Sequence, residues 1–408
     1  MAGLLASQEM ESDTINCGEG VIMHGLYIHI PFCVQKCPYC DFASFDDKAY
    51  LVDDYIEALV RELKAGADNS GAVYETLFIG GGTPTMLSEK QLDSLFSGVY
   101  SICPRKNFRE ITIEANPETV TEKKAKILSA NVTRVSMGCQ SFDGEELKKL
   151  CRIHDRGSID RAYEALKKEK IENINLDLIY GIEGQSVERA LYSVNEAIKL
   201  DPSHISYYMM TIYGHTPYGK MAEKGELNLP EDVEIERMYM EGCAALEKAG
   251  YIQYEISNFS REKKECIHNI NYWNHGEYLG VGSSAASYIK GFRRVNTDAP
   301  DIYIKNIKSG ITVLETIEKI TPEIFLKEYI MLHLRTVKGI NRDEFKRVFN
   351  FDFNEKYSNI IENLILQGLA KDGENGFALT RKGFLLSNEI IEKFSKNFFQ
   401  AERRMYGN

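Results

Sequence analysis

Short apolar, β-prone segments recur six times in the first half of the chain, and segments with helical spacing of apolar residues separate most of them. Regular alternation of strand and helix is typical of a parallel sheet covered by helices. The pattern therefore predicts an α/β fold whose sheet curves into a partial (β/α)6 barrel. The predicted strands are Leu26–Ile30, Thr76–Ile79, Ile111–Glu114, Arg134–Met137, Ile174–Leu178 and His204–Met209. The helices include Tyr50–Leu63, Gln91–Tyr100, Ser158–Lys168 and Val187–Leu200.

The alternation ends near residue 212, and two further units follow. Residues 231–315 form an accessory region with one long amphipathic helix, Glu231–Ala249, and then a stretch rich in Gly, Ser, Asn and aromatic residues. Three helices and a hairpin predict a small winged-helix-like domain over 316–408. Its lack of a basic recognition helix argues for a lid or docking module over a nucleic-acid reader. The full division is an irregular extension over 1–22, a barrel over 23–230, and these two units. The C-terminal elements are Glu323–Leu334, Arg342–Val348, Tyr357–Gln367 and Leu369–Leu379.

Composition narrows the class of protein. The 408 residues suffice for two or three domains, and the net charge of −11 argues against binding nucleic acid through bulk electrostatics. The same acidity argues against electrostatic attachment to anionic lipid. We find no run of 18 apolar residues and no signal-peptide pattern at the N-terminus. Nine cysteines without a framework spacing outside one triad favour a reduced, cytoplasmic location.

The triad is Cys33, Cys37 and Cys40, with the spacing Cys-x3-Cys-x2-Cys directly after the first predicted strand. Three thiolates can hold three irons of a cubane cluster and leave the fourth iron open to a small chelating ligand. A structural zinc site would need a fourth ligand, which does not follow at close spacing. A disulfide would strand one thiol, and three unrelated buried thiols remain the other alternative. The spacing favours a [4Fe–4S] cluster.

Polar and glycine residues follow the predicted strands, where parallel folds gather their chemistry. Gly80–Gly82 follows the second strand, Glu114 and Asp177 end the third and fifth, and Gln140 follows the fourth. The glycine run lets the backbone approach a ligand, although a tight strand-to-helix turn explains it equally well. It matches neither a dinucleotide fingerprint nor a P-loop. Arg152, which suits a ligand carboxylate, follows a predicted helix and completes a polar cup.

These motifs resemble those of the radical SAM superfamily, and within it the oxygen-independent coproporphyrinogen III oxidase group, called HemN-like. The resemblance extends from Met23 to about Ser395. It implies a [4Fe–4S] cluster whose open iron chelates S-adenosylmethionine, which one electron then cleaves to a 5′-deoxyadenosyl radical. It also implies an electron donor such as flavodoxin or ferredoxin. The segments that carry it are Tyr27–Phe42, Gly80–Thr85, Met137–Phe142, Asn175–Gly181 and Tyr254–Phe259.

The resemblance assigns roles to residues of the cup. Tyr27, Gly81 and Glu114 are expected to contact a first S-adenosylmethionine. Tyr39, between the last two cysteines, is expected to pack over the ligand. The residues implied for a second S-adenosylmethionine are Gly82, Thr83, Gln140, Arg152 and Asp177.

One position separates two branches of this group. The decarboxylase branch carries a fourth cysteine two residues after the third, and here that position is Phe42. The ending Cys40-Asp41-Phe42 resembles the HemW branch, regarded as heme chaperones. That branch also carries His-Asn-x-x-Tyr-Trp, matched by His268 through Trp273, the only tryptophan in the chain.

The matched segment contains residues suited to heme. Histidine is a common axial ligand of heme iron, and Tyr272 and Trp273 can stack on a porphyrin face. Without the resemblance, His268 is interpreted more simply as a hydrogen-bonded structural residue. With the resemblance to the branch, a heme ligand becomes the favoured interpretation. Cys266 is an alternative thiolate ligand, although a plain buried thiol is the simpler interpretation. No local pattern distinguishes His154, His204, His215, His275 or His333.

Three functional hypotheses follow. The first is a heme chaperone that passes heme to an acceptor, such as a membrane respiratory protein, with the cluster serving dimerisation or control. A homodimer belongs to this hypothesis. The second is an oxidative decarboxylase of coproporphyrinogen III, against which Phe42 and the His-Asn-x-x-Tyr-Trp match both argue. The third is another radical enzyme acting on tetrapyrroles, such as an anaerobic heme-opening methyltransferase, which no residue favours over the first.

Overall fold

The computed structural model describes residues 23–373 and 376–405, with side chains described through residue 396. The predicted extension over 1–22 lies outside the described residues. The first half alternates strand and helix as predicted. Its strands are β1 (Gly25–Ile30), β2 (Thr76–Gly81), β3 (Glu110–Ala115), β4 (Arg134–Gln140), β5 (Asn173–Tyr180) and β6 (His204–Met209). Its helices are α1 (Val52–Ser70), α2 (Glu89–Ile102), α3 (Glu122–Asn131), α4 (Gly144–Lys149), α5 (Arg156–Lys168) and α6 (Val187–Leu200).

Strands β1 to β6 lie side by side in chain order and pair in parallel. Side chains alternate between the two faces of each strand. On β1, Leu26, Ile28 and Ile30 are fully buried in the main apolar core, whereas Tyr27 and His29 lie on the opposite face. The parallel sheet thus has an apolar outer face under the helices and a polar inner face, the lumen of the barrel.

Helix starts follow local capping chemistry. Ser88 caps α2 in a reciprocal capping box with Gln91, and Ser186 accepts the N–H of Arg189 at the start of α6. Each cap satisfies a backbone donor that the first helical turn leaves unpaired. These local signals explain why the sequence pattern located the helices well.

The accessory region is more regular than its composition predicted, because after its long helix it holds two short helices and several strands. Strand β9 pairs in parallel with β1, and β8 pairs antiparallel with β6, so the barrel sheet continues past both of its edges. The full order within the described residues is β12-β11-β10-β9-β1-β2-β3-β4-β5-β6-β8-β7, whose ends do not meet, so the barrel is open. The elements are α7 (Pro217–Glu223), α8 (Asp232–Lys248), β7 (Ile252–Gln253), β8 (Asn258–Ser260), α9 (Ile267–Trp273), β9 (Tyr278–Val281), β10 (Ala286–Ile289), β11 (Phe292–Asn296), α10 (Pro300–Lys308) and β12 (Leu314–Lys319).

The C-terminal unit has the predicted winged-helix-like content, with three helices and a three-stranded sheet of order β13-β15-β14, whose first strand lies between the first two helices. Backbone hydrogen bonds attach it to the accessory region, from Ile256 N–H to the carbonyl of Arg335 and from Val337 N–H to that of Tyr254. The predicted division after residue 315 falls inside β12, which pairs with β11 in the large sheet. The elements are α11 (Pro322–His333), β13 (Ile340–Asn341), α12 (Arg342–Phe349), α13 (Phe353–Leu366), β14 (Ala370–Gly373), β15 (Gly376–Leu379), α14 (Arg381–Leu385) and α15 (Ser387–Met405).

Helix α9 closes the amino-terminal end of the barrel. The carboxylate of Glu110, the first residue of β3, is 3% exposed and accepts hydrogen bonds from the N–H groups of Ile267 (2.9 Å) and His268 (3.1 Å). The thiol of Cys266 lies 3.3 Å from the same carboxylate. A carboxylate at a helix N-terminus satisfies unpaired backbone donors and complements the helix dipole. Glu110 therefore anchors α9 to the barrel.

We predict that Glu110→Gln lowers the free energy of unfolding by about 1.5–3 kcal/mol, because each hydrogen bond to a charged group contributes about that much. Chemical denaturation followed by circular dichroism measures the change. Glu164→Gln, an exposed position on α5, is the matched control. A Glu110→Gln effect no larger than that of the control would contradict the anchoring role.

Candidate functional site

The carboxyl ends of β1 to β6, here called the mouth, carry the three clustered cysteines. The loop between β1 and α1 closes on itself through a bridge between Phe32 and Phe45 and a hydrogen bond from Cys33 N–H to the carbonyl of Phe45. A turn bond from Cys40 N–H to the carbonyl of Cys37 (3.1 Å) shapes its tip. All three thiols are partly exposed on this one loop. The spacing therefore does place three potential ligands together at the mouth.

Three thiols on one loop fit a multi-iron cluster. Among the described residues, no group of three His, Cys, Asp or Glu side chains is arranged to hold one metal ion. In a cubane cluster each cysteine binds a different iron, so the sulfur atoms stand farther apart than around one ion. Burial raises the pKa of the Cys33 and Cys40 thiols, and the neighbouring cysteines raise them further. Cys33, Cys37 and Cys40 would hold the cluster as thiolates, so its binding releases protons.

The glycine run packs tightly against the β1 side of the mouth. A Cβ on Gly81, whose φ is +111°, would lie 2.5 Å from the His29 ring, and one on Gly82 would lie 2.5 Å from the carbonyl oxygen of Phe32. The N–H of Gly81 donates a hydrogen bond to the carboxylate of Glu114 (2.9 Å), and the N–H of Gly82 donates one to the carbonyl of Ile30 (2.8 Å). These two N–H groups are therefore not free for a ligand, and contact of Gly81 and Gly82 with one through other backbone atoms stays a prediction. Close packing requires the glycines, and their N–H groups bond within the protein.

Two carboxyl groups face the mouth without an ion-pair partner among the described residues. Burial, together with the charge of Asp177, raises the pKa of Glu114 to about 8. Burial also raises the pKa of Asp177, whose carboxylate accepts a hydrogen bond from Asn175 Nδ2 at 2.7 Å. Tyr27 lies in the same layer, with its hydroxyl donating to Nδ1 of His29 at 2.9 Å. A cup with two such carboxyl groups suits a ligand that carries positive charge.

A chain of hydrogen bonds joins the cysteine loop to the ends of β2 and β3. Arg152 donates to the hydroxyl of Tyr39 (2.9 Å) and to Oδ1 of Asn116 (3.2 Å). Asn116 Nδ2 donates to Thr83 Oγ1 (3.1 Å), which lies 3.6 Å from the sulfur of Cys33. Burial opposes charge on the Arg152 guanidinium, but Tyr39 and Cys37 keep its pKa above the ordinary value. The sequence pattern missed Asn116, although its place directly after β3 could have drawn attention to it.

Gln140 lies at a bulge where β4 reaches the mouth. The pairing of β4 with β5 shifts register between Met137 and Gln140, and Gln140 has a φ of 65°. Its side-chain oxygen accepts a hydrogen bond from the hydroxyl of Tyr208 on β6 at 2.8 Å. Tyr208 is a second residue that the sequence pattern missed. The structure brings most of the residues predicted for S-adenosylmethionine to this mouth, whereas Tyr27 and Asp177 lie deeper in the lumen, within β1 and β5. The individual roles of all of them remain predictions.

The residues predicted to bind heme lie at the opposite end of the barrel. His268 is fully buried, with Nδ1 hydrogen-bonded to Thr76 Oγ1 and Nε2 to the hydroxyl of Tyr272, both at 2.8 Å. Burial lowers the pKa of His268 to about 3, so its ring is neutral. Neither ring nitrogen is open to an iron in this arrangement. His268 as a heme ligand therefore stays a prediction that requires α9 to move.

Trp273 lies on the other face of α9, against the C-terminal unit. There it lines a cavity of about 630 Å³, here called the α9 cavity. Its indole N–H is buried and has no hydrogen-bond partner among the described residues. The size lies within the range of about 300–1,000 Å³ typical of small-molecule sites. The lining includes Tyr254, Ile270, Trp273, His333, Val337 and Ala378.

Comparison with known proteins agrees with this architecture. Residues 27–196 match the family model of the radical SAM superfamily, and residues 320–386 match that of the HemN C-terminal domain. A Bacillus subtilis protein named heme chaperone HemW is 35% identical over 91% of this chain and 99% of its own length. The Escherichia coli protein of the same name is 34% identical over 90% and 97%.

The chain belongs to the HemW family. This membership, with the radical SAM match, implies a [4Fe–4S] cluster and S-adenosylmethionine as cofactors. A solved structure of coproporphyrinogen III oxidase (HemN) from Escherichia coli superposes with a TM-score of 0.79 and 23% identity, covering 92% of this chain and 90% of that one. That likeness establishes the shared fold. No helix in the described part of this HemW-family chain is long and apolar enough to span a membrane.

We predict that Glu114 makes a contribution to the free energy of unfolding of the ligand-free protein that falls as pH rises from about 5 to about 8, because folded Glu114 holds a proton that the unfolded chain releases. The pKa of Glu114 is raised from 4.5 to about 8, so the folded state binds more protons across that window. Glu114→Gln should lack this part of the pH dependence, whereas the contributions of the other buried groups, Asp177 among them, remain in both proteins. Denaturation midpoints between pH 5 and pH 8 test this, and Glu164→Gln is the control. Equal slopes in Glu114→Gln and wild type would contradict it.

Proposed function

We propose that this protein is a heme chaperone that binds heme in the α9 cavity and transfers it to acceptor proteins. The observation that carries the proposal is the α9 cavity itself, one wall of which is the helix formed by the His-Asn-x-x-Tyr-Trp segment. An aromatic residue at such a cavity suits a flat, mostly apolar ligand. The names of the curated relatives from Bacillus subtilis and Escherichia coli support the same function.

The mouth of the barrel serves the cofactors in this proposal. Cys33, Cys37 and Cys40 hold the [4Fe–4S] cluster, which when bound supplies an open iron and a source of single electrons. Tyr27, Gly81 and Glu114 bind a first S-adenosylmethionine, and Tyr39 packs over it. The residues assigned to a second one are Gly82, Thr83, Gln140, Arg152 and Asp177.

The cargo site involves α9. Trp273 supplies an aromatic face to the α9 cavity, and Tyr272 holds His268 on the barrel side. His268 is the iron ligand that the family motif suggests, and it would have to leave two hydrogen bonds to act. The acceptor is a heme-requiring protein such as a respiratory protein, the electron donor is a flavodoxin or ferredoxin, and the chaperone acts in the cytoplasm as a homodimer.

Anaerobic cluster reconstitution followed by heme titration tests the function. We expect wild-type protein to bind heme stoichiometrically, with quenching of Trp273 fluorescence, and to form no protoporphyrinogen from coproporphyrinogen III under reducing conditions with S-adenosylmethionine. The alternative function, oxidative decarboxylation, is the outcome if coproporphyrinogen is consumed and heme is not bound. That result would overturn the proposal.

The cysteine loop and the α9 cavity lie at opposite ends of the barrel, so we predict that loss of the cluster leaves heme binding unaffected. Cys37→Ala should abolish cluster absorbance, since one of three iron ligands is lost, and should leave heme affinity within about twofold of wild type. The reason is that the α9 cavity shares no lining residue with the cysteine loop. Parallel titrations of reconstituted wild type and Cys37→Ala measure both effects, with the surface change Glu164→Gln as a control. Loss of heme binding together with the cluster would place heme at the mouth instead.

A further inference from the structure

We infer that His333, and not His268, supplies the imidazole ligand to heme iron in the α9 cavity. The inference rests on the proposed heme-chaperone function and assigns the residue that performs its central contact. No sequence motif singles out His333, which is the last residue of α11. Its position on the cavity wall and the state of its two ring nitrogens carry the assignment.

The Nδ1–H of His333 donates to the backbone carbonyl of Tyr329 at 2.8 Å, one helical turn earlier. This bond fixes the tautomer that leaves the lone pair on Nε2, which is the usual arrangement at metal-binding histidines. No described residue forms a hydrogen bond with Nε2 of His333. The residue is 9% exposed and lines the cavity, and its unused nitrogen is the atom assigned to the iron.

The ring of His333 is held in place before any ligand arrives. It stacks on the ring of Tyr329, with 3.7 Å between centroids and an interplanar angle of 20°. Its backbone carbonyl accepts bonds from both the N–H and the hydroxyl of Thr336. Burial lowers the pKa of His333 to about 4, so the imidazole is neutral at physiological pH, as iron ligation requires.

The remaining cavity wall suits the rest of a heme molecule. Trp273, Ile270 and Val337 supply apolar surface for the porphyrin. Lys338 and Lys371 also line the cavity, are exposed, and form no ion pair with a described residue, so they can bind the two propionates. Three carboxylates line the cavity as well, Glu265, Glu344 and Asp372, of which Asp372 pairs with Arg342. His268, in contrast, has no free ring nitrogen, because both of its nitrogens are hydrogen-bonded within the barrel.

The test is titration of the full chain with ferric heme, read by absorbance and by electron paramagnetic resonance for histidine ligation. We expect His333→Ala to lose the histidine signature and to bind heme at least tenfold more weakly, since loss of an outer-shell partner alone costs metal sites about 10–100-fold. His333→Met should replace the signature with that of a thioether ligand, which mere damage to the fold cannot produce. His215→Ala, an exposed imidazole outside the cavity lining, is the control for adventitious binding.

His268→Ala separates the two candidate ligands. We expect it to retain the histidine signature, even where it lowers the denaturation midpoint. A retained signature in His333→Ala, or its loss in His268→Ala alone, would overturn the assignment of His333. Failure of the wild type to bind heme at all would instead overturn the proposed function. The two failures are therefore distinguishable in one series of titrations.

Discussion

Closure of the barrel's amino-terminal end by a buried carboxylate is the interaction on which the rest of the structure depends. The lumen is lined with polar side chains, and burying such groups is costly unless each finds a partner. Glu110 meets this constraint by binding the start of α9, which in turn brings His268 to Thr76. Because α9 is fixed in this way, its opposite face stands against the C-terminal unit. One buried carboxylate thus closes the barrel and fixes the helix that forms one side of the α9 cavity.

The same arrangement separates two chemistries. Parallel strands direct ligands to their carboxyl ends, so Cys33 and Glu114 converge at the mouth. The amino ends are occupied by α9, whose helical period directs His268 and Tyr272 inward and Trp273 outward. A contiguous motif in sequence therefore becomes two separate surfaces in space. A motif of this kind cannot be read as one ligand site without knowing which face of its helix each residue occupies.

Local patterns predicted what depends on local physics. The bounds of β6 and α6 match the predicted His204–Met209 and Val187–Leu200, since strand and helix periods are visible in short windows. The parallel topology also predicted that the cysteine loop and the carboxyl groups of the strands lie close together. The pairing of β9 with β1 and the contacts of Asn116 and Tyr208 could not be predicted in this way. They join segments far apart in sequence, and no local period encodes them. His333 escaped notice for the same reason, because its significance lies in the cavity and not in its neighbours.

The free-energy cost of freeing each histidine for the iron distinguishes the two as heme ligands. To expose His268, the chain must break its two ring hydrogen bonds, worth about 0.5–1.5 kcal/mol each, and release α9 from Glu110, with bonds of about 1.5–3 kcal/mol each. Together these losses amount to roughly 4–9 kcal/mol, comparable with the whole binding free energy of about 8 kcal/mol at micromolar affinity. His333 requires no such rearrangement. A chaperone has to release its cargo as well as bind it, so a ligand at an existing cavity suits exchange better than one reached by opening the barrel.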